Sequence, residues 1–530
     1  MKLFSILSIN IFTCILLAFV GCTKKQESSM QSSSLLDLLP KETIGLVIWN
    51  TESEGFKKFK ATPWAESQIP INSLDQPELK TTLNVLNRIG LINTSKETID
   101  SISEGIGFAT IETINQITMF NFALYTKARS GEDLTGFVLK IRSELSKEGI
   151  VVKDFSKSGR EIIGITLNTK MEGYPKQLFI SSSKEILAAA TSEALLEKPF
   201  LLEQVKTTVP FLDSPEFKDA STKAKIKGSF LMASLNLSEL VGPMTSIAES
   251  IDPKLNLKEL PVKFISFDRS FKASLTDSIR FVFDPKTEEQ KKIFGFLKAS
   301  SSVALLKSTP KEILFTIQLD GPTLASISQV ELADVPNKSL LEKITRLAIM
   351  AKAGTTATLF PEITLVAESS DPKELADTLS NQIKSLIDSG GMPFSPWKET
   401  TIEGNKINFS LTPLGIGLYI ANINGKLVAS SSEDGIKSII ALTKSSDSFY
   451  TEASKRDAVI LTEVGSVSSG HLDFEKLGDT LKELQGTLAM FSGGAANMDP
   501  DVVTKLKKLG KMDFAVTYSD FKLGIETVYN

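Results

Sequence analysis

His471 is the only histidine among 530 residues, so any histidine acting as a general base must be this one. No cysteine is placed to partner it, and its counterpart in the internal repeat of the chain is Ser234, so it reads as a surface or strand-end histidine. Attack by a lysine-activated serine would use the Ser-x-x-Lys spacing at Ser181/Lys184, Ser308/Lys311, Ser370/Lys373 and Ser395/Lys398. The Ser-Asp-Asn and Lys-Thr-Gly elements that complete such sites in penicillin-recognising enzymes are absent. A Ser- and Lys-rich chain produces such hits by chance. Gly-x-Ser-x-Gly, a Walker loop and His-Glu-x-x-His are absent too. Ser389-Gly390-Gly391 and Ser492-Gly493-Gly494-Ala495-Ala496 lack the Lys-Ser/Thr that would reach a phosphate, so they read as loops. No catalytic residue, metal ligand or cofactor is assigned.

Two serine triplets, Ser181 to Ser183 and Ser430 to Ser432, stand in matching phrases. Residues 178–187 read LFISSSKEIL and run into AAATSEALL; residues 427–442 read LVASSSEDGIKSIIAL. Each is an apolar run, three serines, acidic residues and then apolar residues at helical spacing. Ser182 with Glu185, and Ser431 with Asp434, hold the capping-box spacing, in which hydroxyl and carboxylate satisfy free N–H groups at a helix start. A strand running into a capped helix is therefore expected twice, with Ser181, Ser182 and Ser183 matching Ser430, Ser431 and Ser432. A hydroxyl cluster at a helix N-terminus can also bind an anion. Capping is the simpler reading.

Around these residues the composition is globular, 42% hydrophobic and 23% charged. The length accommodates roughly two to four domains of about 150 residues. With 59 basic and 63 acidic residues the net charge is −4, without the basic excess expected of a nucleic-acid binder. Met1-Lys2 is a short basic start, residues 3–20 are mostly apolar, and Val20-Gly21-Cys22 leads into the polar run TKKQESSMQSSS. This is an export signal over residues 1–21 followed by a tether over 22–34. It resembles a bacterial lipoprotein signal, which implies that Cys22 is lipidated and becomes the mature N-terminus. Gly21 fits that pattern, Phe19 stands where leucine is usual, and Thr23 in place of Asp implies the outer membrane facing the periplasm. Cys14 lies inside the signal, so the mature chain keeps Cys22 alone, without an intrachain disulfide or a thiolate metal cage. No later stretch reaches the roughly 18 uninterrupted apolar residues of a membrane helix.

The mature chain says most things twice. Pro40-Lys41-Glu42 leads into an apolar, β-rich run at 43–49, and Pro310-Lys311-Glu312 leads into one at 313–319. Phe56 to Trp64 reads as a short helix ending near Pro63. Leu79, Leu83, Leu86 and Ile89 form a helical stripe, which Leu340, Ile344, Leu347 and Met350 repeat. Ala357-Thr358-Leu359 echoes Ala109-Thr110-Ile111, and Glu374-Leu375 starts a helix as Asp133-Leu134 does. Gly404 takes the turn position of Gly159, Leu235 to Leu240 matches Leu472 to Leu477, and Phe264 and Phe271-Lys272 match Phe514 and Phe521-Lys522. Shared order at similar spacing implies a tandem duplication, with units at 35–285 and 302–530 joined by a connecting helix at 286–301. Adjacent strand pairs interspersed with helices imply two α+β domains, each a mainly antiparallel sheet with its helices on one face.

Leu39-Pro40-Lys41-Glu42-Thr43, Asp371-Pro372, Leu427-Val428-Ala429-Ser430-Ser431 and Asp213-Ser214-Pro215-Glu216-Phe217 resemble the phrases of a bacterial exported lipoprotein family of unknown function, whose tandem domains begin Leu-Pro-x-Asp/Glu-Thr. The resemblance spans most of the mature chain and brings no catalytic residues with it. The expected function is a non-enzymatic, lipid-anchored envelope protein that binds or scaffolds. Its membrane contact would run through the lipid on Cys22, and its partner would be another envelope protein or a lipid. The alternatives are a carrier of a lipid or acyl chain and, behind it, a serine hydrolase.

Overall fold

β-Branched and aromatic residues concentrate in runs such as Thr43–Asn50 (TIGLVIWN) and Gln177–Ser182 (QLFISS), and these runs are strands. The computed structural model describes residues 35–66, 102–114, 117–129, 131–147, 151–157, 159–166, 175–201, 210–224, 228–240, 261–288, 290–291, 294, 305, 307–321, 343–353, 361–389, 394–412, 417–445, 448–455, 466–491 and 500–530. The expected export signal, Cys22 and the expected 22–34 tether lie outside the described residues. So do Leu79, Leu83, Leu86, Ile89, Leu340, Ala357 to Leu359, Gly390-Gly391, Ser492 to Ala496 and most of the expected connecting helix.

The chain divides into two units, Met1–Asp284 and Pro285–Asn530. In the first, β1 (Thr43–Asn50), β2 (Ile102–Ile114), β3 (Ile117–Ala128), β4 (Val152–Lys157), β5 (Arg160–Thr166), β6 (Gln177–Ser182), β7 (Ile186–Ala190), β8 (Ser229–Asn236), β9 (Val262–Phe271) and β10 (Leu275–Phe283) pair antiparallel throughout. Their order is β4-β5-β6-β7-β3-β2-β1-β8-β9-β10. The second unit carries β11 (Phe315–Asp320), β12 (Ile344–Lys352), β13 (Glu362–Ser369), β14 (Lys398–Ile402), β15 (Asn405–Leu411), β16 (Gly417–Ile423), β17 (Lys426–Ser430), β18 (Ser466–Asp473), β19 (Lys511–Ser519) and β20 (Lys522–Tyr529). Their order is β14-β15-β16-β17-β13-β12-β11-β18-β19-β20, strand for strand the same, and again antiparallel.

The likeness reaches single residues. The β2–β3 ladder slips between Ile102 and Glu104, and the β12–β13 ladder slips between Ile344 and Arg346. The β8–β9 ladder slips between Ser229 and Leu231, and β18–β19 between Ser466 and Ser468. Gly159 and Gly404 both turn their hairpins with positive φ, at +75° and +81°, as a two-residue turn between twisted strands requires. The expected matches of Pro40 with Pro310, Gly159 with Gly404 and Leu235 with Leu472 agree with these ladders.

Both faces of each sheet are covered, which corrects the expectation of helices on one face. The reason lies in the period of two along a strand. In the second unit, Val366, Val428, Tyr419 and Ala421 pack against Ile436, Ile439 and Ile440 of the Glu433–Lys444 helix. Their neighbours Ala367, Leu427, Ala429 and Ile420 point the other way, against Leu375 and Ala376 of the Pro372–Asp388 helix. In the first unit Val138, Ile141 and Leu145 of the Phe137–Lys147 helix cover Ile163, Ile180 and Leu187. Leu195, Leu196, Phe211 and Phe217 cover Tyr125, Phe179 and Ala188 on the opposite face. Each Val, Leu, Ile or Phe among them, fully buried, stabilises its unit by about 1.5–3 kcal/mol.

Two further expectations change. Ile344, Leu347 and Met350 belong to strand β12, not to a helix; the buried residues there are Ala348 and Met350, spaced by two. The ladders also make Phe267, not Phe264, the counterpart of Phe514, because Ala233 opposes Phe267 as Gly470 opposes Phe514. Phe521 sits in the β19–β20 turn with φ +61°.

Candidate functional site

Strands β11, β18 and β19 set Thr316, His471 and Asp513 side by side in one ladder row. His471 Nδ1 lies 2.6 Å from Asp513 Oδ1, and Asn530 Nδ2 donates to Asp513 Oδ2 at 3.0 Å. The Phe449 ring lies over the imidazole with centroids 4.8 Å apart. His471 is 2% exposed and Asp513 0%. It is thus not a surface histidine, a correction that follows from its buried carboxylate partner, and it lies near the end of β18. The hydrogen bond between His471 Nδ1 and Asp513 Oδ1 holds the ring in one orientation. This is two thirds of a nucleophile–base–carboxylate arrangement, and among the described residues no hydroxyl is bonded to the imidazole. Thr316 Oγ1 is buried beside it and has no hydrogen-bond partner, so no hydroxyl-to-imidazole bond is formed there.

The serines of the Ser-x-x-Lys spacings do not meet their lysines. Ser181 Oγ donates to the Glu161 carbonyl at 2.8 Å. Ser395 Oγ accepts from Leu411 N at 3.1 Å, and Ser370 is exposed. Ser308 does receive a lysine, yet a different one: Lys426 Nζ donates to Ser308 Oγ at 2.6 Å. Glu368 Oε1 lies 3.3 Å from the same ammonium, and Arg346 lies 3.6 Å from that carboxylate. The Lys426 ammonium is thus shared between the Ser308 hydroxyl and the Glu368 carboxylate, a contact that anchors Ser308.

The serine triplets divide between two jobs. Ser432 is the N-cap of the Glu433–Lys444 helix, accepting from Gly435 N at 2.9 Å, one residue beyond the expected Ser431. Its hydroxyl donates to Glu362, a carboxylate that would repel an anion at this helix start. Ser431 Oγ accepts from Ile363 N at 2.9 Å and Ser430 bonds Thr364 at 2.9 Å, which ties β17 to β13. Ser181, Ser182 and Ser183 cap no helix. They close β6 and the turn into β7, where Ser183 Oγ accepts from Ile186 N at 3.1 Å. The counterpart of Ser432 is Ser192, which caps the Glu193–Glu197 helix through Leu195 N at 3.3 Å.

Two other groups, one half-buried and one buried, were not anticipated. Asp268 on β9 accepts from Ser229 Oγ at 2.5 Å, and burial pushes its carboxyl up to about 6 despite the nearby Arg280. Tyr125 donates to the Leu195 carbonyl at 2.5 Å, and burial raises its phenol far above the usual range. Asp513 and Asp268 gave no local signal, because their partners come from other strands. Among the described residues no helix is long and apolar enough to cross a membrane.

No protein-family model and no curated protein matches the chain. Among solved structures the chain is similar to one titled "Structure of crystal form III of TP0453", with a TM-score of 0.28 and 10% identity, covering 51% of this chain and 89% of that one. A likeness at that score bears no weight for fold or function.

Proposed function

We propose that this is a non-enzymatic, lipid-anchored protein of the bacterial cell envelope, built by tandem duplication of one α+β unit, which binds or scaffolds another envelope component. An acyl group on Cys22 would hold it to the outer membrane on the periplasmic side. The observation that carries the anchor is the order of apolar leader, Gly21-Cys22 and polar tether. Support for the duplication comes from the shared strand order and from ladder slips at matching positions. Support for a non-enzymatic role comes from His471, buried against Phe449 with no hydroxyl bonded to it among the described residues, and from Lys426, paired with Glu368.

Expression with an alkyne-tagged fatty acid tests the anchor. The wild type should carry the label and partition into the detergent phase, and Cys22→Ala should do neither; an unlabelled wild type would overturn the anchor. A fluorophosphonate probe tests the absence of hydrolase chemistry. Labelling that Ser308→Ala removes would overturn the non-enzymatic reading.

A further inference from the structure

Strand β4 ends the first sheet among the described strands, and Val151 just before it shares one face of the sheet with Lys153, Phe155 and Lys157. Val151 is 74% exposed and Phe155 40%, although Phe155 rests partly on Phe179. Strand β14 is its counterpart in the second sheet and reads differently. Lys398, Glu399, Thr400 and Thr401 are polar, and Glu399 is neutralised by Lys406 at 2.6 Å. An edge strand that shows apolar side chains attracts another strand unless something blocks it.

We propose that the β4 edge, in line with the binding role read above and resting on it, receives an added strand of a partner protein whose inward-facing residues alternate apolar and acidic. Charge selects this occupant. Lys157 leans on Glu197 at 3.5 Å, whereas Lys153 makes no ion pair among the described residues. A second copy of the chain fits poorly. The antiparallel registers that set Phe155 on Phe155, or Val151 on Phe155, also set Lys153 against Lys157 or against itself, and like charges directly opposite destabilise a ladder. The lysines thus act against self-pairing and for an acidic strand, which is specificity by repulsion as well as attraction. Main-chain hydrogen bonds would supply the affinity and the alternate side chains the choice of partner.

The test uses the full chain in detergent and a fluorescein-labelled peptide of the pattern Val-Thr-Glu-Thr-Val-Thr-Glu-Thr-Val, with a control carrying lysine for each glutamate. Fluorescence anisotropy should show the glutamate peptide binding at least tenfold more tightly than the control. Lys153→Glu, at an exposed site that folding does not depend on, should reverse that preference. Equal binding of the two peptides, no binding of either, or an unchanged preference in Lys153→Glu overturns the proposal, as does a dimer in light scattering that Lys153→Glu leaves intact. Fatty-acid labelling at Cys22 is read separately, so loss of the edge site and loss of the anchor are told apart.

Discussion

Where β1, β8 and β9 bring Leu46, Ser234 and Ser266 into one row of the first unit, β11, β18 and β19 bring Thr316, His471 and Asp513 into the same row of the second. Glu104 opposes Lys127 on β2 and β3; at the same place on β12 and β13, Arg346 opposes Glu368, with the charges exchanged. Gly164 leaves room into which Phe155 leans from the next strand over Phe179. In the second unit the glycine position is Phe409, itself stacked on Tyr419 at 5.5 Å, and the leaning position is Thr400. The units keep their ladders and change their residues in neighbouring sets. A sheet therefore constrains what adjoining side chains must do together, such as neutralise a charge or fill a space, more than which residue does it.

The sharpest way to break that comparison is at the buried row. Replacing His471 by Ser alone leaves Asp513 buried without its imidazole, and should cost about 3 kcal/mol, because removing one partner of a buried pair is poorly tolerated. Changing Asp513→Ser as well imports the Ser234/Ser266 arrangement and should recover a good part of the loss in urea unfolding. Additive losses would show that the two residues are not a unit.

Asp268 comes next, at the position that Ala515 fills in the second unit. Its carboxyl titrates at about 6 in the folded protein against an ordinary 3.8, so the folded state holds the proton more tightly than the unfolded chain. Stability should therefore fall as pH rises from about 4 to about 6 and level off above. Asp268→Asn keeps an acceptor for Ser229 and removes that decline. At pH 7 the variant should be more stable by about 2 kcal/mol, with little difference at pH 4. A gain of equal size at both pH values would point away from the carboxyl.

Much of the architecture was legible in the sequence because it rests on short-range chemistry. Gly159 and Gly404 mark turns that need positive φ, and the Leu235 and Leu472 stretches carry both a strand end and a helix start. The serine triplets misled for an equally physical reason. Residues 178–183 and 427–432 are both apolar runs ending in three serines, but the first belongs to β6 and the second to β17. The true counterpart of β17 is β7, whose ILAAATS keeps only the capping Ser192. A period of two and a hydroxyl fit either placement; the decision comes from β3 and β13, far away in the chain. The stripe of Ile344, Leu347 and Met350 failed likewise, since apolar residues three apart occur on a strand covered on both faces. His471 and Asp513 share no local pattern at all.

Filling Gly164 sharpens the comparison at smaller amplitude. A Cβ there would stand 2.7 Å from the Phe155 ring, so the ring must move outward towards solvent. Gly164→Ala should cost about 1 kcal/mol. In Phe155→Thr, which imitates Thr400, the same substitution should cost clearly less. If the cost is the same in both backgrounds, the space at Gly164 is limited by something other than Phe155.

The smallest effect belongs to the exchanged ion pair. Glu104 and Lys127 lie 2.8 Å apart with side chains 36% and 16% exposed, so solvent screens much of their attraction. Glu104→Arg, which places a cation beside Lys127, should cost 1 kcal/mol or less. Adding Lys127→Glu recreates the order of Arg346 and Glu368 and should return the stability to near wild type. Raising the salt to about 1 M shortens the screening length to about 3 Å and should shrink the penalty of the single variant. A full cycle in which the double variant is no better than the sum of the singles would mean that the mirrored charges at these positions do not depend on one another, and the pairwise reading of the two sheets would fail at its most exposed point.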